Sequence, residues 1–434
     1  MSATNGPAED GAGSLWSATA PPPPQTQPLE SSLRVDVAVI GGGYTGLSTA
    51  LHLAELGMKP AVLEAFGIGH GASGRNGGHI NAGTKYDPVE LKGKFPANVA
   101  QRMIDFSSSA PDVTFDLISR YQIGCDALRT GWILPAHNHA ALDSLKRRAD
   151  AWQSHAADVR VLSAGEVAER IGTDRYVGGI IDLRCGNIQP LSFVRGLARA
   201  AINAGALVFS DTPATALERA EGGWRVVTPK GEVLADQVVI ATNGYTDGLW
   251  PHLQQTVLPV NSFQIATAPL SKSDNQKILP NLNTVSDSRR IMLYYRKDRE
   301  GRLVIGGRGR FREPRSLNDY GHLMRSLRWL FPQLASQPID HFWSGRVAIT
   351  YDHLPHIHQP ERGITIALGY NGRGVAMATA IGKRIAEHIR GGSDTLPFVP
   401  SQITPIPFHR FNRLATSAAI GWYTFRDGID ALRR

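Results

Sequence analysis

A run of small residues, Gly41-Gly42-Gly43-Tyr44-Thr45-Gly46, joins a short apolar stretch to an amphipathic one, and it constrains the fold more than any other feature of the chain. Upstream, Val35-Asp36-Val37-Ala38-Val39-Ile40 is almost continuously apolar and rich in β-branched residues, the pattern of a buried parallel strand. Downstream, from Thr45 to Leu56, the residues Leu47, Ala50, Leu51, Ala54 and Leu56 share one broad helical face, and Gly57 supplies the stop. Ala61-Val62-Leu63-Glu64 then closes a βαβ unit. A glycine hexad alone specifies only a tight turn. With a strand before it, a helix after it and Glu64 ending the next strand, it specifies dinucleotide binding. Gly41, Gly43 and Gly46 let a pyrophosphate approach the N–H groups that begin the helix, where the dipole favours negative charge, and Glu64 is placed to accept from ribose hydroxyls.

The rest of the chain returns to this unit. Val89 to Trp152 reads as helical, an insertion between the halves of the nucleotide fold. A helix from Leu191 to Gly205 leads to Leu207-Val208-Phe209, and Val238-Val239-Ile240-Ala241 is a second buried strand ending in Thr242-Asn243-Gly244. From Leu258 to Gly307 apolar and polar residues alternate, as in an antiparallel sheet with one covered face. Finally, Ile364 to Leu368 leads into Gly369-Tyr370-Asn371-Gly372-Arg373-Gly374 and a helix to Ile389, repeating the order of strand, glycine loop and helix. The fold expected is α/β: a Rossmann-type nucleotide domain from residues 31–90, 151–257 and 345–392, and a mainly antiparallel substrate domain from 91–150 and 258–344. Residues 1–30, with four consecutive prolines at 21–24, are expected to be an extended or disordered tail outside the fold, and 393–434 a C-terminal extension.

Composition removes several classes of function. The two cysteines, Cys125 and Cys185, have no partner at metal-ligand spacing, so neither a disulfide framework nor a zinc site is expected. Asp352, His353, His356 and His358 read as a polar loop near the cofactor rather than a metal site. The net charge of +8 comes from scattered basic residues, not a dense run, so it is weak evidence for a nucleic-acid surface and fits a positive funnel for an anionic substrate equally well. No run is long enough to span a membrane and the first residues lack a signal-peptide pattern, so the expected address is cytoplasmic. The fingerprint itself leaves FAD and NAD open. A flavin is favoured by the small-residue loop from Gly69 to His79, suited to passing a flat ring, and by the terminal glycine loop, whose helix N-terminus would face developing negative charge. The alternatives are an NAD-dependent dehydrogenase, which would be colourless, and a non-enzymatic anion or nucleic-acid binder, whose affinity would fall steeply with salt.

Asp36 to Asn81, Ala241-Thr242-Asn243-Gly244-Tyr245, Tyr294-Tyr295-Arg296, Phe331-Pro332-Gln333-Leu334, Trp343-Ser344-Gly345, Gly369 to Val375 and Trp422 to Asp427, taken in this order, resemble the D-amino-acid-oxidase-like FAD-dependent oxidoreductases. Within that family the chain is similar to the gamma-glutamylputrescine oxidases. The resemblance implies FAD extended under an antiparallel substrate sheet. It also implies hydride transfer from the carbon bearing an amine to flavin N5, imine hydrolysis, and reoxidation by oxygen or another acceptor. Gly41, Gly43, Tyr44, Thr45 and Gly46 match the pyrophosphate loop and Glu64 the ribose acid. Ser73, Arg75, Asn76, Gly77 and Gly78 match the loop passing the flavin, Ala214 the adenine contact, and Gly372, Arg373, Gly374 and Val375 the C-terminal flavin loop; Asn243 and Gly244 are counted with the cofactor residues. His79 stands where a glutamine is expected, and Asn76 where one subgroup carries a linking histidine, so the FAD is expected to be noncovalent. For the small amine substrate, Tyr294 and Tyr295 are candidates of which strand alternation admits one, with His79 as a proton-transfer candidate. Arg308 and Arg296 are candidates for pairing with a carboxylate.

Overall fold

The computed structural model describes residues 13–309, 312–392, 396–407 and 409. Trp422 to Asp427, and most of the expected C-terminal extension, lie outside them. The first sheet has the order β17 (His356–His358), β18 (Ile364–Leu368), β11 (Glu232–Ile240), β1 (Ser32–Ile40), β2 (Pro60–Leu63), β8 (Leu207–Phe209). From β18 to β8 its neighbours run parallel, with Val39 opposite Val239 and Val62, while β17 is antiparallel to β18. Strands β9 (Ala216–Ala220) and β10 (Gly223–Val227) form a hairpin that joins β11 on its first half. Both faces of β1 are covered towards its end, which is why its sequence runs apolar without alternation.

Helices α2 (Tyr44–Glu55), α7 (Pro190–Asn203) and α10 (Gly374–Ile389) lie together, with the long α4 (Ala97–Arg120) against α10. Gly382 of α10 approaches the backbone of α2 so closely that a Cβ would lie 2.6 Å from Thr45 O. Helix α2 is consequently buried all round from Tyr44 to Leu53 rather than along one face, while Leu56, expected on that face, is exposed. Helices α3 (Pro88–Lys94), α5 (His139–Gln153), α6 (Ala164–Ile171), α8 (Lys272–Lys277) and α9 (Gly321–Leu330) lie in the connections. Among the described residues no helix is long and apolar enough to cross a membrane.

The second sheet has the order β16 (Ile339–Ile349), β12 (Leu258–Thr267), β15 (Leu303–Arg308), β14 (Tyr294–Lys297), β13 (Thr284–Ser286), β4 (Trp132–Pro135), β6 (Gly179–Asp182), β5 (Val159–Leu162). The domain boundaries expected above are corrected here. β5 and β6 belong to this sheet although they fall within 151–257: β6 pairs with β4 and β5 with β6, and α5 lies against the pair. Helix α4, placed in 91–150 with the substrate domain, covers the nucleotide domain instead. Nor is the sheet covered on one face only. Tyr295, Leu303 and Ile305 pack with Leu323 and Leu327 of α9, while Arg296 and Tyr294 on the other side meet the glycine loop at residues 77–78. A two-strand ribbon of β3 (His79–Ile80) and β7 (Gly186–Asn187) closes that gap.

The expectation that residues 1–30 stand outside the fold is overturned for 13–30. Ser14 caps the short α1 (Leu15–Thr19) through the Ser17 N–H, and Leu15 and Trp16 are fully buried. The prolines that follow have no N–H to satisfy. Their carbonyls accept from α7, Pro21 O from Arg195 at 2.6 Å and Pro22 O from Arg199, and Gln27 bridges to Phe209 at the edge of the first sheet.

Candidate functional site

The glycine turn is built by close backbone approach. Gly41 has φ +109°, and a Cβ there would lie 2.9 Å from Ala241 O; one on Gly46 would lie 1.9 Å from Gly41 O. Helix α2 starts at Gly43 without a side-chain cap, leaving its first turn available to an anion. The Tyr44 N–H donates to Ser73 Oγ (3.0 Å) and the Gly42 N–H to Glu64 Oε2 (2.6 Å), so the small-residue loop and the acid that follows β2 are both tied to this turn. Burial pushes the Glu64 carboxyl up, against the N–H groups of Gly42 and Phe66 that hold it down. Thr212 N donates to Glu64 O (2.8 Å), and Ala214 follows two residues later in the extended connection before β9. The Tyr44 hydroxyl is engaged by protein, donating to Pro190 O and accepting from the Asn76 amide, each at 3.1 Å. Thr45 Oγ1 meets Tyr370 Oη at 2.6 Å, which brings the starts of α2 and α10 together.

Four successive carbonyls of the small-residue loop are held from outside it. Arg75 O accepts from Gln264 Nε2 (2.6 Å) and Trp343 Nε1 (3.0 Å), and Asn76 O from Trp16 Nε1 (2.8 Å). Gly77 O accepts from Arg296 Nε (2.9 Å) and Gly78 O from the Ile188 N–H (2.9 Å). Gly78, at φ +73°, has no space for a side chain, since a Cβ would lie 2.2 Å from Ile188 O. The Arg75 guanidinium is turned back to His70 O (2.7 Å).

Beyond the loop, the His79 imidazole and the Tyr294 ring meet edge to face, with centroids 5.5 Å apart. The Tyr294 hydroxyl and Ser262 Oγ are 2.7 Å apart, and its ring lies 2.8 Å from where a Gly77 Cβ would be. Burial, helped by the Arg296 charge, pushes the His79 pKa down to about 3, and burial pushes the Tyr294 phenol up, so both rings are uncharged near neutrality. Alternation settles the tyrosine pair: Tyr295 points the other way, donating to Tyr176 Oη (3.1 Å) within the second core. Arg296 is not available for a carboxylate. Its guanidinium donates to Gly77 O, Asn187 Oδ1, Ile188 O and Lys297 O, and burial lowers its pKa to about 10. Arg308 ends β15 opposite Ser262, the residue that holds Tyr294.

The terminal loop turns on Gly369 (φ +80°), Asn371 (φ +52°) and Gly372 (φ +83°) before α10, whose N-terminus also lacks a side-chain cap at Arg373. Asn243, itself at φ +44°, accepts the Gly369 N–H at 2.9 Å, so the ends of β11 and β18 are tied together beside Gly244. Val375 is buried in the first turn of α10. Arg373 donates to Ala82 O (3.1 Å) and lies over the Trp132 ring, and burial lowers its pKa to about 9. In the polar loop nearby His356 meets Asp352 (3.0 Å) and His358 Nδ1 meets Ser401 O (2.8 Å), and among the described residues no cluster could hold a metal. Sequence reasoning missed Trp16, Ser262 and Gln264. Trp16 was hidden by the proline run after it, although the Ser14 cap and the Leu15-Trp16 pair were visible signals.

Comparison with known proteins fits this geometry. The model of the family DAO, FAD dependent oxidoreductase, matches residues 36–388. The chain belongs to this family. FAD is therefore its cofactor, and the NAD alternative falls. The site fits FAD on its own terms, with two uncapped helix N-termini brought together and a glycine cradle that a Cβ would fill. A probable oxidoreductase OrdL of Rhizobium meliloti is 32% identical over 95% of this chain and 97% of its own length. The gamma-glutamylputrescine oxidoreductase of Escherichia coli K12 is 32% identical over 92% and 95%. Among solved structures, glycine oxidase from Geobacillus kaustophilus superposes with a TM-score of 0.70 at 23% identity, covering 85% of this chain and 99% of that one, a likeness of fold.

Proposed function

We propose that this FAD-dependent oxidoreductase oxidises the C–N bond of a small amine or amino-acid-like substrate, with a gamma-glutamylated polyamine as the first candidate. The observation that carries the reading is the uncharged pair of His79 and Tyr294, enclosed where the glycine loop passes under the second sheet. When bound, FAD supplies the two-electron acceptor: hydride leaves the carbon bearing nitrogen, water hydrolyses the resulting imine, and oxygen reduced to hydrogen peroxide restores the cofactor. The protein's part is to receive the amine without its extra proton. Arg296 is a buried cation beside His79, and a second positive charge brought into the same low-dielectric space is disfavoured, so the amine binds neutral. Tyr294, oriented by Ser262, presents a protonated phenol to it, and neither ring acts as a charged base.

The FAD is held without a covalent bond in this reading. Both cysteines are buried, Cys185 Sγ accepts the Ala82 N–H, and the Asn76 amide is committed to Tyr44, Ala72 and Ser73. Denaturation should therefore release all the flavin. The test is an anaerobic screen of amines for bleaching of the flavin band, followed by admission of air and a peroxide assay. Bleaching should be faster at higher pH as the amine deprotonates, with no histidine-like step near pH 6–7. If no amine bleaches the flavin, the reading fails.

A further inference from the structure

We infer that Trp16 is a positioning residue for the cofactor loop, and that the segment carrying it is a strap joining the second sheet to the nucleotide sheet. The inference rests on the assignment of residues 73–79 to the flavin side of the site. Trp16 is 1% exposed and touches three separate parts of the molecule. Its indole N–H donates to Asn76 O, its ring stands edge-on to Trp343 with centroids 5.4 Å apart, and the Arg296 guanidinium lies 4.8 Å over its face. Gln189, the cap of α7, donates to Trp16 O (2.9 Å) and Thr19 Oγ1 (3.1 Å). From there the chain runs along α7 to the far edge of the first sheet, where Leu29 N donates to Thr212 Oγ1 (3.0 Å). Thr212 in turn donates to the carbonyl of Glu64. The strap thus reaches from the ring end of the site to the ribose end.

The 76–77 peptide is where its grip counts. Arg75 O and Gly77 O are held by residues of the second sheet, so the carbonyl between them is the one the strap controls. A peptide is planar, so releasing Asn76 O turns the Gly77 N–H with it, and a glycine on the C-terminal side gives little resistance to that rotation. A five-residue helix has no stability alone, so the order of α1 depends on these contacts. Reciprocity follows: if Trp16 orders the loop for FAD, FAD must order the strap.

The experiment compares the wild-type enzyme with Trp16→Phe, which keeps a ring but loses the donor. Arg199→Ala is the control, loosening the strap on α7 without touching the loop. Apoenzyme is titrated with FAD and the visible spectrum of the bound flavin is recorded. Loss of one buried hydrogen bond, about 1–1.5 kcal/mol, should weaken FAD about tenfold and shift the flavin band, while Arg199→Ala leaves both unchanged at a similar melting temperature. If Trp16→Phe fails to fold, hydrogen exchange on the wild-type protein decides: amides of residues 14–19 should exchange more slowly with FAD bound. Unchanged affinity and spectrum in Trp16→Phe, an equal loss in Arg199→Ala, or exchange indifferent to FAD would each overturn the inference. No amine enters these measurements, so failure to bleach the flavin would sink the proposed reaction and leave this result standing.

Discussion

The glycine turn at residues 41–46 and the ring pair of His79 and Tyr294 are built by opposite means. The turn is made of backbone: its specificity lies in side chains that are missing, and its parts are contiguous in sequence. The ring pair is made of side chains drawn from β3 and β14 and braced by Ser262 on β12. A backbone site tolerates almost no added atom. A side-chain site tolerates change in chemistry, which is where related enzymes can diverge in substrate without losing the nucleotide.

Five substitutions would break or sharpen that contrast. The largest effect should come from Arg296→Met, which strips donors from the buried Gly77 O, Asn187 Oδ1 and Ile188 O. At roughly 1–3 kcal/mol for each unsatisfied group, the melting temperature should fall steeply and the protein should purify with little flavin. A melting curve like that of the wild type would mean the loop does not depend on the second sheet. Gly46→Ala places a methyl group against Gly41 O and should cost about 1–3 kcal/mol through overpacking, read as weaker FAD binding in apoenzyme titrations. Retained affinity would show that the turn is less rigid than its contacts imply.

His79→Gln tests the other region. The folded-state pKa of His79, about 3, lies below its usual value of 6.5, so the unfolded chain binds the extra proton between those pH values. Stability therefore rises with pH across that window and is lost as pH falls through it, by up to about 1.4 kcal/mol per pH unit. The glutamine variant should show a shallower dependence of melting temperature on pH below 6.5, with no difference at pH 8. Smallest is the tyrosine pair. Tyr295→Phe should cost about 1 kcal/mol of stability and leave amine-driven flavin reduction alone, while Tyr294→Phe should slow reduction with little change in stability. Equal kinetic effects from the two would contradict the division of faces described above.

The nucleotide region was legible because its physics is local. Strand, turn and helix are adjacent, Gly41 and Gly57 mark left-handed backbone that other residues resist, and Gly46 marks a close backbone approach. The second domain was legible only in type. Its sheet draws β4, β5 and β6 from stretches that read as helical or as nucleotide-domain connections, and nothing in a four-residue strand such as Val159–Leu162 says which sheet will take it. Arg296 misled for a related reason. A guanidinium that binds four carbonyl oxygens and one that awaits a carboxylate have the same sequence signature. Composition also misread residues 13–30, since a proline run lacks a core of its own but can dock on one built elsewhere.

The pairing order of the first sheet carries a consequence for biosynthesis. Residue 32 lies beside residue 232, and residue 238 beside residue 364, so β11 and β18, the two successive strands on one side of β1, are translated long after it. Until the ribosome has delivered both, the nascent polypeptide must keep apolar strand edges from sticking to one another or to neighbours. Such long-range closure makes folding slow and leaves it open to aggregation, so the yield of native protein in cells should depend on chaperone capacity and growth temperature more than on the stability of the finished molecule.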